Sequence, residues 1–121
     1  DNVAQMQFDF LKEKADSGES FVVLGRCASY ILRDNPNIIK IFITADMPEK
    51  IDHVSKIFQI PLDDAQLLIQ KENKKRKSYH NYYSKEKWGD SRHYDIIINS
   101  SKLGIEKTAD MLVEYINERI K

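Results

Sequence analysis

Residues 20–46, SFVVLGRCASYILRDNPNIIKIFITAD, decide how this chain folds. Phe21-Val22-Val23-Leu24 is a short unbroken apolar run, and Gly25 ends it. The run from Ile38 to Thr44 (IIKIFIT) is longer and rich in β-branched residues. Such runs suit strands covered on both faces, as in a parallel sheet, because a strand with one solvated face alternates apolar and polar residues instead. Between them, Ala28, Tyr30, Ile31 and Leu32 predict a short helical segment, and Asn35-Pro36-Asn37 predicts a turn.

Working outward, Val3, Met6, Phe10 and Leu11 recur at helical spacing, with Phe8 flanking them, up to about Asp16. Ser17-Gly18 supplies the stop. Downstream, Asp46 is placed to cap a helix with Pro48 in its first turn, where a missing N–H would lack an intrahelical partner anyway. That helix runs to about Phe58 and is broken at Ile60-Pro61. Another starts at Asp63 or Asp64, carries Ala65, Leu68 and Ile69 on one face, and leads into a basic stretch. Trp88-Gly89-Asp90 reads as loop, and residues 94–99 (YDIIIN) as a third strand. Ile105, Ala109, Leu112, Val113, Ile116 and Ile120 form one stripe of a closing amphipathic helix. Strands alternating with helices predict an α/β fold: a parallel sheet flanked by helices in three layers.

The chain has 121 residues, enough for a single domain, 1–121. Hydrophobic residues make up 41% and charged residues 31%, which fits a globular rather than a disordered chain. Nineteen Lys and Arg balance nineteen Asp and Glu, so any attraction for phosphate must be local. One cysteine, Cys27, excludes an internal disulfide and fits a reducing cytoplasm. No apolar run has the length of a membrane span, and no signal-peptide pattern opens the sequence. The chain opens on Asp1 rather than Met, in the run-up to a helix, and we expect further protein upstream.

Ligands in open α/β sheets bind beyond the carboxyl ends of the strands. That rule selects Gly25-Arg26, Thr44-Ala45-Asp46 and Asn99-Ser100-Ser101. A guanidinium held by a rigid strand end at Arg26 suits bidentate recognition of phosphate; the alternative is an arginine reaching solvent or a nearby carboxylate. Lys74, Lys75, Arg76 and Lys77 allow three readings. They are a solvated helix face, a flap that closes over phosphates, or a single-stranded nucleic-acid site in which neighbouring tyrosines stack on bases. Overall neutrality disfavours the last. Tyr79, Tyr82, Tyr83 and Trp88 read as packing. His53, His80 and His93 lack metal-ligand spacing, and Cys27 has no cysteine partner, so no metal site is expected in the chain itself. Asp95 reads as fixing a turn, and Ser100-Ser101 as capping the last helix, with Glu106 near its positive end.

Three segments together resemble one family: FVVLGRCASYILRD (21–34), KKRKSYHNYYSKEKWGD (74–90) and YDIIINSSKLGIEKTADMLVEYI (94–116). The combination of GRCA, YxNYY, KWGD and INSSKLGIEKT, in that order, is similar to the cytidylate kinase-like family of bacterial P-loop proteins. The similarity runs from about Glu19 to the C-terminus. It implies a nucleoside-monophosphate kinase fold and transfer of the γ-phosphoryl group of ATP to a nucleoside monophosphate, with magnesium. By the same resemblance Gly25 and Arg26 bind the acceptor phosphate. Lys74, Lys75 and Arg76 lie in a lid of about residues 71–92, with Arg76 catalytic, and Asn99, Ser100 and Ser101 line the adenine side.

Two departures qualify that expectation. Family members that act on cytidylate carry Asp after the arginine, where this chain has Cys27, so the acceptor base stays open. The phosphate-cradling G-x-x-x-x-G-K-[ST] loop is also absent: the four glycines, Gly18, Gly25, Gly89 and Gly104, form no such motif. In the family that loop lies upstream, on a strand between those matching 21–25 and 38–44. Without it we expect two unpaired strand edges, which invite rearrangement of the sheet or association between copies. We also expect no catalysis from these 121 residues alone. The alternative to a kinase is a nucleotide-sensing or assembly module on the same scaffold.

Overall fold

The computed structural model describes residues 2–121; Asp1 lies outside them. The chain forms α1 (Asn2–Asp16), α2 (Ala28–Ile31), β1 (Ile41–Thr44), α3 (Met47–Phe58), α4 (Leu62–Tyr83), a 3₁₀ turn (Ser91–His93), β2 (Ile96–Asn99), α5 (Ser100–Leu103) and α6 (Ile105–Arg119). It divides into two compact units. One comprises the stretch up to Lys40 with Lys74–Tyr94, the other Ile41–Asn73 with Asp95–Lys121.

The first unit is helical. Ala4, Phe8 and Leu11 of α1 are buried, while Val3, Met6 and Phe10 are exposed. This corrects the expected stripe. Helix α1 carries two apolar stripes, 4-8-11 and 3-6-10, both compatible with a 3.6-residue period, so periodicity alone could not choose the inner one. Phe8 and Ala4 pack with Cys27, Tyr30, Ile31, Tyr79 and Tyr83. The Phe8 ring meets Tyr83 edge-on at 5.2 Å, a favoured aromatic arrangement. Leu11 packs with Ala28, Leu32, Phe21 and Ile38 in a second cluster. Tyr79 and Tyr83 are therefore packing residues, whereas Tyr82 is exposed.

The strand expected over Phe21–Leu24 does not form. Val22 and Leu24 are 90% and 87% exposed. Apolar composition qualifies a segment for a sheet, but a strand exists only where a second backbone runs beside it to accept its hydrogen bonds. No such backbone lies along 21–24 among the described residues.

The second unit holds the sheet. It has two parallel strands in register from Ile41↔Ile96 to Thr44↔Asn99. Both are shorter than the apolar runs that announced them, because pairing covers only those four positions and Ile38 packs in the helical core of the other unit. Helix α6 forms where expected but follows its stripe only in part: Leu112 and Ile116 are half-buried, whereas Ile105, Ala109 and Val113 are exposed, as is Ile120 just beyond its end, and its buried residue is Thr108, whose Oγ1 donates to Gly104 O at 2.6 Å. Asp95, expected to fix a turn, pairs with Arg119 Nη1 at 3.5 Å, tying the end of α6 to the approach of β2.

The described residues thus form an α/β fold with a two-stranded parallel sheet rather than the larger three-layered sheet that the apolar runs predicted. No helix among them is long and apolar enough to cross a membrane.

Candidate functional site

The Gly25-Arg26-Cys27 segment is a tight left-handed turn. All three residues have positive φ, at 66°, 57° and 59°, and Ala28 N donates to Gly25 O at 3.1 Å. Glycine adopts this region freely; arginine and cysteine do so at a cost on the order of 1–3 kcal/mol each. The turn holds because Cys27 is anchored. Its side chain is 4% exposed, set against Ala4 and Phe8, and its Sγ donates to His80 O at 3.8 Å. Burial and the nearby Glu86 carboxylate push the thiol up to about 11, with Arg33 opposing. Arg26, one residue earlier, is exposed and borders an open apolar groove of about 430 Å³ with Val3, Met6 and Phe10. A strained turn pinned by a buried neighbour fixes the point from which this guanidinium extends.

Lys74, Lys75, Arg76 and Lys77 are all exposed on α4, close to its C-terminal end. The Arg76 guanidinium lies 5.3 Å from the Trp88 ring centroid, within the range of cation–π attraction. The loop beyond is fastened locally. Asp90 accepts from Arg92 at Nε (3.0 Å), Nη2 (2.6 Å) and the backbone N (3.0 Å), and these bonds hold its carboxyl well below the usual range. Trp88 N donates to Asn81 Oδ1 at 3.3 Å. Beneath this segment His80 is buried, and burial lowers its pKa, opposed by a hydrogen bond to the Glu86 backbone and by the Glu86 charge.

In the second unit the ends of β1 and β2 carry a polar network. Asn99 caps α5, its Oδ1 accepting from Ser101 N at 2.9 Å. The cap is thus Asn99 on a short helix, not Ser100-Ser101 on the final one. Ser100 Oγ donates to Thr44 O at 3.1 Å, and Ser101 Oγ accepts from Asp46 N at 2.8 Å. Asp46 stands at the N-cap position of α3 but makes no capping bond there. Its Oδ1 accepts from Asn99 Nδ2 at 3.0 Å, and Lys102 Nζ lies 3.4 Å from its Oδ2. The Asn99 hydrogen bond, more than Lys102, lowers the Asp46 pKa.

The predicted residues therefore fall into three local settings: Gly25 and Arg26 on the strained turn, Lys74, Lys75 and Arg76 on α4, and Asn99, Ser100 and Ser101 at the strand ends. Sequence reasoning placed Asp46 both at a helix cap and among the strand ends where ligands bind, and gave Arg92 no role. The only signal for Asp46 was its place directly after a strand. Among the described residues no group of three His, Cys, Asp or Glu could hold a metal ion.

These features define an α/β protein with polar strand-end loops and one strongly basic helix segment. The chain belongs to the cytidylate kinase-like family, whose profile matches residues 1–102. It is 27% identical over 111 residues to the cytidylate kinase of Methanosarcina barkeri (strain Fusaro / DSM 804), covering 90% of this chain and 61% of that protein. It also superposes with a TM-score of 0.92 on the crystal structure of an uncharacterized protein from Eubacterium ventriosum ATCC 27560. The two are 43% identical, over 96% of this chain and 65% of that one. The chain thus spans less than two thirds of the length of each.

Proposed function

We propose that the full-length protein is a P-loop nucleoside-monophosphate kinase, to which this chain contributes acceptor-binding and lid residues. The observation that carries this reading is Arg26, exposed on a strained turn that a buried Cys27 pins in place. Strain of this kind collects at functional sites, and a fixed guanidinium suits a phosphate oxygen pair. An oxygen of the acceptor's phosphate attacks the γ-phosphorus of ATP, the bond to the β-phosphate oxygen breaks, and ADP leaves. Arg26 orients the acceptor. Arg76, with Lys74 and Lys75, offsets the charge on the transferring group. Asn99, Ser100 and Ser101 border the adenine. Magnesium, when bound, would neutralise the β- and γ-phosphates. Because Cys27 is buried, it packs the turn rather than reading the acceptor's base.

The exposed Val22 and Leu24 support a further part of the reading, in which an upstream strand carrying the phosphate loop pairs along 21–24. A cytoplasmic location belongs to the same proposal. The test is an ATP-dependent assay of the full-length protein against a panel of nucleoside monophosphates. Turnover of at least one, lost in Arg26→Ala without loss of fold, is the expected result. Nucleotide binding with no turnover of any monophosphate would favour the sensing module instead.

A further inference from the structure

Strands β1 and β2 end side by side at Thr44 and Asn99. Past that last pair, the two strand-end loops are joined three times more, by Ser100 Oγ to Thr44 O, by Asp46 N to Ser101 Oγ and by Asn99 Nδ2 to Asp46 Oδ1. The Asn99 amide is engaged at both of its polar atoms, since its Oδ1 takes the Ser101 N–H. Its rotamer, and with it the path of residues 99–101, is therefore fixed by Asp46 on one side and by its own loop on the other. Asp46 is unusual in this role. A carboxylate at an N-cap position ordinarily accepts from its own helix, and here it does not. It turns across to β2's loop, where Lys102 approaches its second oxygen.

We infer that Asp46 is a positioning residue for the junction of β2 and α5 at residues 99–101 and, through it, sets the affinity for the nucleotide whose base that junction borders. The inference rests on the proposed kinase function for its consequence, and on the hydrogen bonds alone for its geometry. Replacing Asp46 with Ala removes the acceptor for Asn99 and frees that side chain to turn. Replacing it with Asn keeps an acceptor oxygen and removes only the charge facing Lys102.

The experiment uses full-length protein and two variants, Asp46→Ala and Asp46→Asn, each checked for its thermal melt. In Asp46→Ala the KM for ATP is expected to rise about tenfold, the scale of one charge-assisted hydrogen bond, with kcat and the acceptor KM changed less than about twofold. Asp46→Asn is expected to stay within about threefold of wild type. An unchanged ATP KM in Asp46→Ala, equal losses in both variants, or a matching rise in the acceptor KM would overturn the inference. The side-chain amide signals of Asn99, followed by NMR through acid pH, give a second readout. They are expected to track the Asp46 carboxylate in wild type and to lose that response in Asp46→Ala; a wild-type signal indifferent to pH also overturns the inference. Wild-type protein that shows the Asn99 response but neither binds nor turns over nucleotide overturns the kinase reading and the role built on it, while the tie between the strand ends stands.

Discussion

The guanidinium of Arg76 lies 5.3 Å from the centre of the Trp88 ring, so the arginine proposed to meet the transferring phosphate rests on the chain's single tryptophan. The attraction is worth about 0.5–1 kcal/mol at an exposed site, weak enough for a polyphosphate to outbid. Trp88 therefore reports where Arg76 is. In full-length protein, ATP with magnesium is expected to change the tryptophan emission, and Arg76→Ala is expected to abolish most of that change. Arg76→Ala should also lower kcat at least tenfold with little effect on melting temperature, because the side chain is exposed. Emission that responds equally in the variant would show that Arg76 stays put.

Arg26 tests strain against function. Arg26→Gly removes the guanidinium and relieves a left-handed backbone, since glycine adopts a φ of 57° without steric cost. Its melting temperature should equal or exceed that of wild type. Its KM for the acceptor should rise roughly 10- to 100-fold, as expected for loss of a charged hydrogen-bonding partner. Lower stability combined with unchanged KM would contradict both halves of the assignment.

Cys27 separates packing from recognition. Cys27→Asp introduces the residue that the family resemblance leads one to expect after the arginine, yet it buries a carboxylate near that of Glu86. It should destabilise the fold by about 3 kcal/mol in denaturant titrations, whereas Cys27→Ala should cost about 1 kcal/mol. The native thiol should also react slowly with alkylating reagents at neutral pH, being both buried and shifted up to about 11. Equal stability of the Asp and Ala variants would mean that position 27 faces solvent.

His80 gives the first unit a pH dependence of known sign. Burial, the dominant cause, lowers its pKa in the folded chain, so the unfolded chain binds the proton more readily. The stability that comes from keeping His80 neutral is complete above the ordinary histidine range, and it is lost as pH falls through that range toward the depressed folded value. Glu86 and His93 both face this histidine, with opposite effects. Thermal melts at pH 7.5 and 5.5 should show a smaller loss in His80→Gln than in wild type. A larger loss in the variant would reverse the assigned direction.

Much of the helical layout was legible in the residues themselves. Ser17-Gly18 stops α1 where expected, Pro48 sits in the first turn of α3, and Ile60-Pro61 separates α3 from α4. These signals are local: a proline without an N–H or a glycine at positive φ acts whatever surrounds it. Strand pairing and burial were less legible. The 21–24 run has the composition of a buried strand and forms none. Helix α1 carries two apolar stripes and buries 4-8-11, of which only Leu11 belonged to the expected set, with Phe8 at its flank.

For the candidate site, sequence by itself determined which residue types were available: an arginine after an apolar run, a basic stretch beside tyrosines, and an Asn-Ser-Ser segment at a strand end. It also carried enough pattern to point to the family. Only the tertiary structure decided that Cys27 pins the Arg26 turn from inside, that Arg76 rests on Trp88, and that Asp46 turns from its own helix to hold Asn99. Each of these depends on side chains from different elements meeting in space, and a one-dimensional pattern with the periods of helix and strand does not specify which partner a face or a carboxylate will meet.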